Sequence, residues 1–556
     1  MIPVLCRNCK LQSSVSQLPV FTVDCLLLTV EVRMPTEWVS AGCLCRLLPA
    51  LHGEGVKVLS ALAVSPFATC PGLFQPSVAQ DGLLLRLRLP GGLLTVRQCE
   101  AIADLADQFG GGYIEVTNRA NVQIRELQAG ITTEMLERLQ NLELAAPIAA
   151  VDSLRNIMCS PTAGIDRQQL LDTRPFAAAW NRYLTTRPDF AVLSPKFSVC
   201  FDGGEAVSVR DRPNDISLVA VQIGEAVWFR LYLNLGDRGA APCDVSVLVK
   251  PDETLQVLTA IAEIYRDYTS AIDTTKRRKP RLRELLHDWG VEKFLQEVAR
   301  HLPFSLQRSE GTDNVSLING YQHLAIHSQQ QPGLSYIGII LPLGRLETQQ
   351  LRGLATLAAH YGSGILRLTP WQNILLSDLQ TSHIAAVQQK IEQLGLHTSA
   401  THPHSAIVAC SGTTGCKSSA TNTQADALAL ATYLEQHIAL DCPINIHFSG
   451  CEKSCAQHHA SDIALLGVTQ NGHEAYHVYV GEDASEEDGA NFGRSLYQNY
   501  SFTQLPGLIE QMLRAYQNQR SHPQETFKHF VNRHTIAELQ QMLSSLPDCG
   551  LMGVRG

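Results

Sequence analysis

The stretch LRLPGGLLTVRQCEAIADLADQFGGGYIEVTNRANVQI, residues 87–124, has a second copy later in the same chain. Residues 339–376, IILPLGRLETQQLRGLATLAAHYGSGILRLTPWQNILL, align with it without a gap at a constant offset of 252 positions. Pro90 therefore matches Pro342, and Asn121 matches Asn373. Self-similarity over such a distance indicates two copies of one supersecondary unit.

Each copy has the pattern of a strand, a helix and a second strand. An alternating apolar run leads into a glycine-containing loop, and apolar residues spaced by three and four then predict a helix. Glycine follows each helical stretch, as is typical of helix ends that need a positive φ. We therefore predict a small α+β sandwich used twice, with units of a second type between and after the copies.

Composition limits the classes of protein to consider. A chain of 556 residues should form three or more packing units at about 100 to 200 residues each. Its formal net charge of −9 argues against a nucleic-acid partner. No apolar run reaches the roughly 18 residues of a membrane helix, and the N-terminus lacks the pattern of a secretory signal. We therefore expect a cytoplasmic protein, whose closely paired cysteines are metal or redox ligands rather than disulfides.

Two cysteine pairs lie near the C-terminal end. CSGTTGC holds Cys410 and Cys416, and CEKSC holds Cys451 and Cys455. Four thiolates are the usual ligand set of a 4Fe-4S cluster. A structural zinc site is an alternative, although the five-residue gap in the first pair is wider than usual for zinc. Buried cysteines without a metal are the other alternative.

These motifs also resemble a known family. The order CSGTTGC, then HFSGCEKSCAQHHASDIALLGV, is similar to the cluster signature of the sulfite and nitrite reductase superfamily, and the duplicated units resemble its ferredoxin-like half-domains. The resemblance implies an α+β fold with half-domains at 69–130 and 311–380. It also implies a reductase-type domain without a cluster at 131–310, and a 4Fe-4S domain with a C-terminal helical segment at 381–556. Residues 1–68 match neither copy and form an extension of unknown role.

The resemblance also implies an anion-binding site. Members of this superfamily carry a tetrapyrrole beside the cluster. Three segments of this chain, TNRANVQI, DSLRNIMCSP and LSPKFSVCFDGGE, match segments in which the family places cations toward an anionic substrate and toward the carboxylates of that macrocycle. The matching residues here are Arg119, Arg155 and Lys196. Arginine suits this role because its guanidinium forms bidentate hydrogen bonds to carboxylates. Trp371, opposite Arg119 in the repeat, is predicted either to stack on a macrocycle or to fill the core.

One departure from the family pattern shaped the functional prediction. Sirohaem-dependent reductases typically have a second lysine two positions after the one matching Lys196, and this chain has Ser198 there. Segments such as CPGLFQPSVAQDGLLLRLRLPGG and LRLTPW resemble one branch of the superfamily, the precorrin-3B synthases. This resemblance implies an oxygen-dependent hydroxylation of precorrin-3A, with γ-lactone formation, in aerobic cobalamin biosynthesis.

Such a monooxygenase implies particular cofactors and partners. We expect a 4Fe-4S cluster, a second, non-haem iron centre that activates dioxygen, and an external donor, either ferredoxin or a nicotinamide-linked reductase. Two histidines and a carboxylate are common ligands of such an iron, and His447, His458 and His459 are the candidates near the cluster loops. The alternative is a sirohaem-dependent ferredoxin sulfite or nitrite reductase, in which Cys455 bridges cluster and sirohaem. A non-catalytic iron-sulfur electron carrier is a third reading.

Overall fold

The computed structural model describes residues 20–25, 28–33, 70–236, 239–272, 278–309, 321–458, 460–482 and 492–544. The chain divides into two units, Met1–Ala63 and Val64–Gly556. In the first unit, β1 (Val20–Cys25) and β2 (Leu28–Arg33) pair as an antiparallel hairpin. The rest of the predicted N-terminal extension lies outside the described residues. All further elements belong to the second unit.

The first copy of the repeat has five strands and two helices, and four of these strands lie together in one five-stranded sheet. Its own elements are β3 (Ser77–Ala79), β4 (Gly82–Leu87), β5 (Leu93–Thr95), α1 (Val96–Phe109), β6 (Tyr113–Val116), β7 (Val122–Leu127) and α2 (Thr133–Asn141). Helix α1 begins at a capping box, in which Thr95 accepts from the amide of Gln98. Its apolar face, including Ile102 and Leu105, is buried.

The two-layer domain that follows carries a six-stranded sheet. Its elements are α3 (Ala149–Asp152), β8 (Ile157–Cys159), α4 (Arg174–Thr185), β9 (Val199–Asp202), β10 (Ile216–Ile223), β11 (Ala226–Leu233), β12 (Cys243–Val249), α5 (Thr254–Ser270), α6 (Leu282–Trp289), α7 (Val291–Arg300) and β13 (Gln307–Arg308). Strands β8, β9 and β10 are parallel, and the strands after them are antiparallel. The core lies between this sheet and its helices.

The second copy repeats the first in both order and spacing. Its elements are β14 (Ala325–Ser328), β15 (Leu334–Ile339), β16 (Arg345–Glu347), α8 (Thr348–Tyr361), β17 (Ile365–Leu368), β18 (Ile374–Gln380) and α9 (Ile384–Gln393). The two copies exchange a strand, since β5 pairs with β17 of the second copy and β16 pairs with β6 of the first. The exchange joins the two half-domains into one body, and it confirms the predicted duplicated α+β fold.

The C-terminal domain has a five-stranded sheet. As in the six-stranded sheet, three parallel strands are followed by antiparallel strands. Its elements are β19 (Ile407–Ala409), α10 (Gly412–Gly415), α11 (Thr423–His437), β20 (Ile446–Ser449), β21 (Ile463–Gln470), β22 (His473–Val480), β23 (Arg494–Ser501), α12 (Leu505–Gln519), α13 (Phe527–Asn532) and α14 (Ile536–Ser544). Strands β19, β20 and β21 are parallel. This arrangement places the ends of β19 and β20 at one edge of the sheet.

Candidate functional site

The four predicted cluster cysteines lie in two loops at the same edge of the C-terminal sheet. Cys410 directly follows β19, and Cys451 comes two residues after β20. Because these strands are parallel neighbours, their carboxyl ends lie side by side and bring the loops together. Ala420 N–H donates to the Gly450 carbonyl at 2.7 Å and so ties one loop to the other.

The sulfur of Cys410 accepts a hydrogen bond from the Gly450 amide and contacts the Thr423 hydroxyl, which itself donates to the Cys410 carbonyl. The Gly450 amide lies 3.2 Å from Cys410 Sγ, and the Thr423 hydroxyl lies 3.4 Å from it. An amide donor of this kind stabilises a thiolate and tunes the potential of an iron-sulfur cluster. A Cβ on Gly450 would lie 1.7 Å from Ser419 Oγ, so the close approach of these loops requires glycine at this position.

The four cysteines do not form a compact zinc-type group in this structure. Within the part of the chain that the structure describes, no three of the four cysteine sulfurs lie within 4.8 Å of one another. Tetrahedral zinc, with Zn–S bonds of about 2.3 Å, brings its sulfurs to roughly 4 Å separation. The five-residue gap between Cys410 and Cys416 is also wider than is usual for a zinc pair, so these residues fit a 4Fe-4S cluster better than zinc.

A cleft of about 760 Å³ opens beside the second cysteine loop. Its wall includes the three residues that follow Cys455, which are Ala456, Gln457 and His458. Five cationic side chains line it, against two carboxylates, Asp211 and Asp215. The cations are Arg119, Lys196, Arg212, Arg281 and Arg283. The excess of positive charge and the volume suit a large anionic ligand with many carboxylates.

Two of the three predicted anion-binding residues line this cleft. Arg119 follows β6, and its guanidinium donates to Asn214 Oδ1 at 2.9 Å and to the Pro213 carbonyl at 2.6 Å. Burial lowers the pKa of Arg119, while the carboxylate of Asp215 acts in the opposite direction. The Lys196 side chain is exposed to the cleft. Arg119 and Lys196 therefore line the same cleft, one with its guanidinium held by hydrogen bonds and the other with an exposed side chain.

The third predicted residue, Arg155, has a different environment. It is buried, and its guanidinium donates to Asn181 at 3.2 Å, to Asp152 at 3.3 Å and to the Glu143 carbonyl at 2.6 Å. It is not among the residues that line the cleft. In this structure Arg155 ties the segment before β8 to its surroundings.

Three arginines of the cleft were missed by the sequence reasoning. Arg212 pairs with Asp211 at 3.0 Å, and Arg283 donates to the Gly236 carbonyl at 3.0 Å. Arg281 and Arg283 fall in the basic run KRRKPRLR, and such runs are commonly solvated. The arginine spacing around the start of α6 was a usable signal, but only the tertiary structure shows which of them turn inward.

Trp371 already has partners for its ring. His323 stacks on it with ring centroids 4.5 Å apart and planes inclined by 12°, and the Arg212 guanidinium lies 5.0 Å from its centroid. Trp371 also packs against the small cluster of Met158, Cys200 and Val209. These contacts favour the packing role over stacking on a macrocycle.

The histidines proposed for a second iron belong to no group of three possible metal ligands among the described residues. His447 is buried within β20, His458 lines the cleft, and His459 lies outside the described residues. The group of two histidines and one carboxylate that the described chain does contain is His397, His402 and Glu435, of which Glu435 belongs to α11. Since His402 already accepts the His404 amide and hydrogen-bonds Glu435, this group is explained by internal bonding.

Comparison with known proteins identifies the family. The model of the nitrite and sulphite reductase 4Fe-4S domain matches residues 150–306 and 402–547, and that of the nitrite/sulfite reductase ferredoxin-like half domain matches 77–142 and 327–394. The chain belongs to the nitrite and sulphite reductase family. It is therefore an oxidoreductase with a 4Fe-4S domain, as the cysteine pattern predicted.

Named members of the nitrite and sulphite reductase family match most of the chain. The chain is 30% identical to the ferredoxin–nitrite reductase of Synechococcus elongatus over 80% of this chain and 88% of that protein. It is 32% identical to the chloroplastic ferredoxin–nitrite reductase of Zea mays, over 74% of this chain and 75% of that protein. The solved structure of the Mycobacterium tuberculosis NirA protein superposes with a TM-score of 0.69 at 26% identity, covering 82% and 84% of the two chains.

These relatives overturn the prediction of a precorrin-3B synthase. The curated proteins that match over most of the chain are ferredoxin–nitrite reductases, and nothing among them supports a monooxygenase, a precorrin-3A substrate, dioxygen or a non-haem iron. The prediction rested on Ser198, counted as a cation lost from the site, and on short segments that resemble one branch of the superfamily. The cleft is nevertheless lined by five cationic residues, four of them arginines, so position 198 alone does not set its charge.

No helix among the described residues is long and apolar enough to cross a membrane.

Proposed function

We propose that this protein is a ferredoxin-dependent nitrite reductase that carries a 4Fe-4S cluster and sirohaem. One observation supports this best: a cationic cleft of about 760 Å³ is bordered by the residues that directly follow Cys455. A carboxylate-rich tetrapyrrole in this cleft would lie next to the cluster loops, so electrons would have a short path between the two groups. The names of the relatives supply the substrate and the donor.

Different residues of the chain would bind the cluster and the macrocycle. Cys410, Cys416, Cys451 and Cys455 would hold the cluster, and the cleft arginines would hold the macrocycle through its carboxylates. When bound, these two groups supply the electron transfer and the iron chemistry of the reduction. Fixed cations beside the reacting anion stabilise negative charge as it develops there, and they need no reorganisation.

Arg119 and Lys196 would act on the substrate anion itself. Arg119 is fixed by Asn214 and Pro213, so it presents its charge in one orientation. Lys196 is exposed to the cleft and carries its charge on a flexible stem. When electrons from ferredoxin reduce nitrite and its N–O bond breaks, Lys196 Nζ would donate a proton to the departing oxygen.

Ferredoxin is the proposed electron donor. The sequence contains no dinucleotide-binding fingerprint and no flavin motif, so reducing equivalents must come from a partner. The relatives are named for ferredoxin.

The test is to purify the protein anaerobically, record its visible spectrum, extract the pigment with acid, and assay turnover of nitrite and of sulfite with a reduced viologen. We expect sirohaem, an iron-sulfur spectrum and faster turnover of nitrite than of sulfite.

Lys196→Gln should lower kcat/KM for nitrite by at least tenfold, because it removes a charge that contacts the anion. Lys293→Gln is the matched control, since Lys293 is an exposed residue of α7 that lies over Trp289. Absence of sirohaem, or a preference for sulfite, would contradict the proposal.

A further inference from the structure

Arg125 connects the first half-domain with the loop that carries Cys410 and Cys416. It lies on β7, and a Cβ built on Gly415 would be 2.2 Å from its Nη2 and 3.1 Å from its Cζ. The guanidinium therefore packs directly against the backbone of Gly415, the last residue of α10. Because neighbouring Cα atoms are about 3.8 Å apart, this contact puts Nη2 within about 7.5 Å of the Cys416 Cα.

The charge of Arg125 is shielded from water. The side chains of Arg125 and Asp81 are 5% and 10% exposed. Nε and Nη2 of Arg125 donate to the two Asp81 oxygens at 2.7 and 3.0 Å, and this bidentate pair fixes the plane of the guanidinium. Asp81 directly precedes β4, which pairs with β7, so the sheet holds both partners in place. Water and salt screen such buried charges much less than they screen a surface pair.

The positive end of this ion pair faces the cysteine loop. Burial acts to lower the pKa of Arg125, but the hydrogen bond to Asp81 and the charges of Glu115 and Asp81 outweigh it and raise the pKa, so the guanidinium stays charged. Glu115 is itself paired with Arg345 at 3.1 Å. The three atoms nearest to a Cβ on Gly415 include two of Arg125 and none of Asp81. The cation, rather than its carboxylate, is therefore the partner in contact with the loop.

A 4Fe-4S cluster gains one negative charge when it accepts an electron, so a nearby cation favours its reduced form. We propose that Arg125, oriented by Asp81, raises the reduction potential of the cluster held by this loop. Arg125 is not among the residues that line the cleft, so its effect on nitrite reduction is exerted through the cluster. The inference rests on the proposed function for the role of Cys416 as a cluster ligand.

The test is a reductive titration of the anaerobically purified protein, with dithionite as the electron source and the reduced cluster followed by EPR spectroscopy. Arg125→Met should lower the midpoint potential. At a fixed poise, the ratio of reduced to oxidised cluster should fall about three- to thirtyfold, as expected for a buried charge roughly 10 Å away at an effective dielectric constant of about 20. Asp81→Asn should raise the potential, because Arg125 then keeps its charge without the neutralising carboxylate. Arg125→Lys should stay closer to wild type, because it retains the charge.

The opposite signs separate an electrostatic role from a structural one. If Arg125 and Asp81 served only to pack the loop, both substitutions would lower the iron content per chain, and neither would shift the potential in a direction set by charge. Arg138→Met is the matched control, since Arg138 belongs to the same half-domain and pairs with Asp104 at 2.8 Å. Its side chain is 42% exposed, so solvent screens its charge and the potential should equal that of wild type.

An Arg125→Met protein with full iron content and the wild-type potential would overturn the inference, and so would a lowered potential in Asp81→Asn. If Arg125→Met fails to hold a cluster, Asp81→Asn decides: a raised potential supports the inference, and an unchanged one overturns it. A wild-type protein whose cluster titrates normally but which does not reduce nitrite would instead count against the proposed function, and the comparison of potentials would still judge Arg125.

Discussion

Replacing Gly415 with alanine should disturb the cluster loop through an arginine of the first half-domain. A Cβ at this position would lie 2.2 Å from Arg125 Nη2 and 2.9 Å from the Ser411 Cβ. Ordinary contact begins near 3.4 Å, so the guanidinium or the loop must retreat by about 1.2 Å. Arg125 is not free to do so, because it is buried and forms a bidentate pair with Asp81 at 2.7 and 3.0 Å.

The expected loss follows from that geometry. Movement of Arg125 away from Asp81 by 1.2 Å would break the 3.0 Å hydrogen bond, and movement toward Asp81 would compress it. Losing one charge-assisted bond and adding overpacking should destabilise the protein by about 2–4 kcal/mol. The same displacement would shift the loop that carries Cys416, so cluster content should fall as well.

The assay is the midpoint of urea unfolding, followed by circular dichroism, together with iron per chain. Gly507→Ala is the matched control, because this α12 glycine has nothing within 4 Å of its added Cβ and should gain about 0.5–1 kcal/mol. In the double variant Gly415→Ala with Arg125→Ala, the clash is relieved, and a coupling of about 1–3 kcal/mol is expected. A single variant Gly415→Ala with wild-type midpoint and iron content would refute this reasoning.

Three further outcomes are expected. Cys455→Ser should lose the cluster iron and all nitrite turnover. Cys442→Ser, which changes a half-buried cysteine outside the two loops, should keep both. Retained iron in the Cys455→Ser variant would show that Cys455 is not a ligand. Arg367→Met should lower the free energy of unfolding by roughly 3–5 kcal/mol, because the buried guanidinium donates to one hydroxyl and two carbonyls. A urea-unfolding midpoint within error of wild type would contradict this. Burial, together with the charge of His402, lowers the pKa of His404 from 6.5 to about 4. Between pH 6.5 and pH 4, His404 is therefore protonated in the unfolded chain but not in the folded protein. Stability should therefore fall as pH drops from 6.5 to 4, by on the order of 2–3 kcal/mol, and His404→Gln should show a shallower loss in urea titrations across that range.

Much of the fold could be predicted from local patterns. The repeat at an offset of 252 gave both half-domains, since strand alternation, helical spacing and glycine positions all recur. The exchange of β5 and β16 between the half-domains could not be predicted, because each is a three-residue strand whose partner lies far away in the chain. Strand pairing at that distance leaves no local signal.

The candidate site could be predicted where the functional residues lie within short sequence motifs. Four cysteines in two short motifs indicated the cluster, and Arg119 and Lys196 were found through matching segments. Arg281 was missed because only the tertiary structure places it at the cleft, beside Asp215, a carboxylate 66 positions away in the sequence.

The most direct test of the central claim is turnover of nitrite by the anaerobically purified protein with reduced ferredoxin as sole donor. The account predicts ferredoxin oxidation that depends on nitrite, in a protein whose acid extract contains sirohaem. A protein with an intact iron-sulfur spectrum that leaves nitrite unconsumed, or that yields no sirohaem, would contradict it.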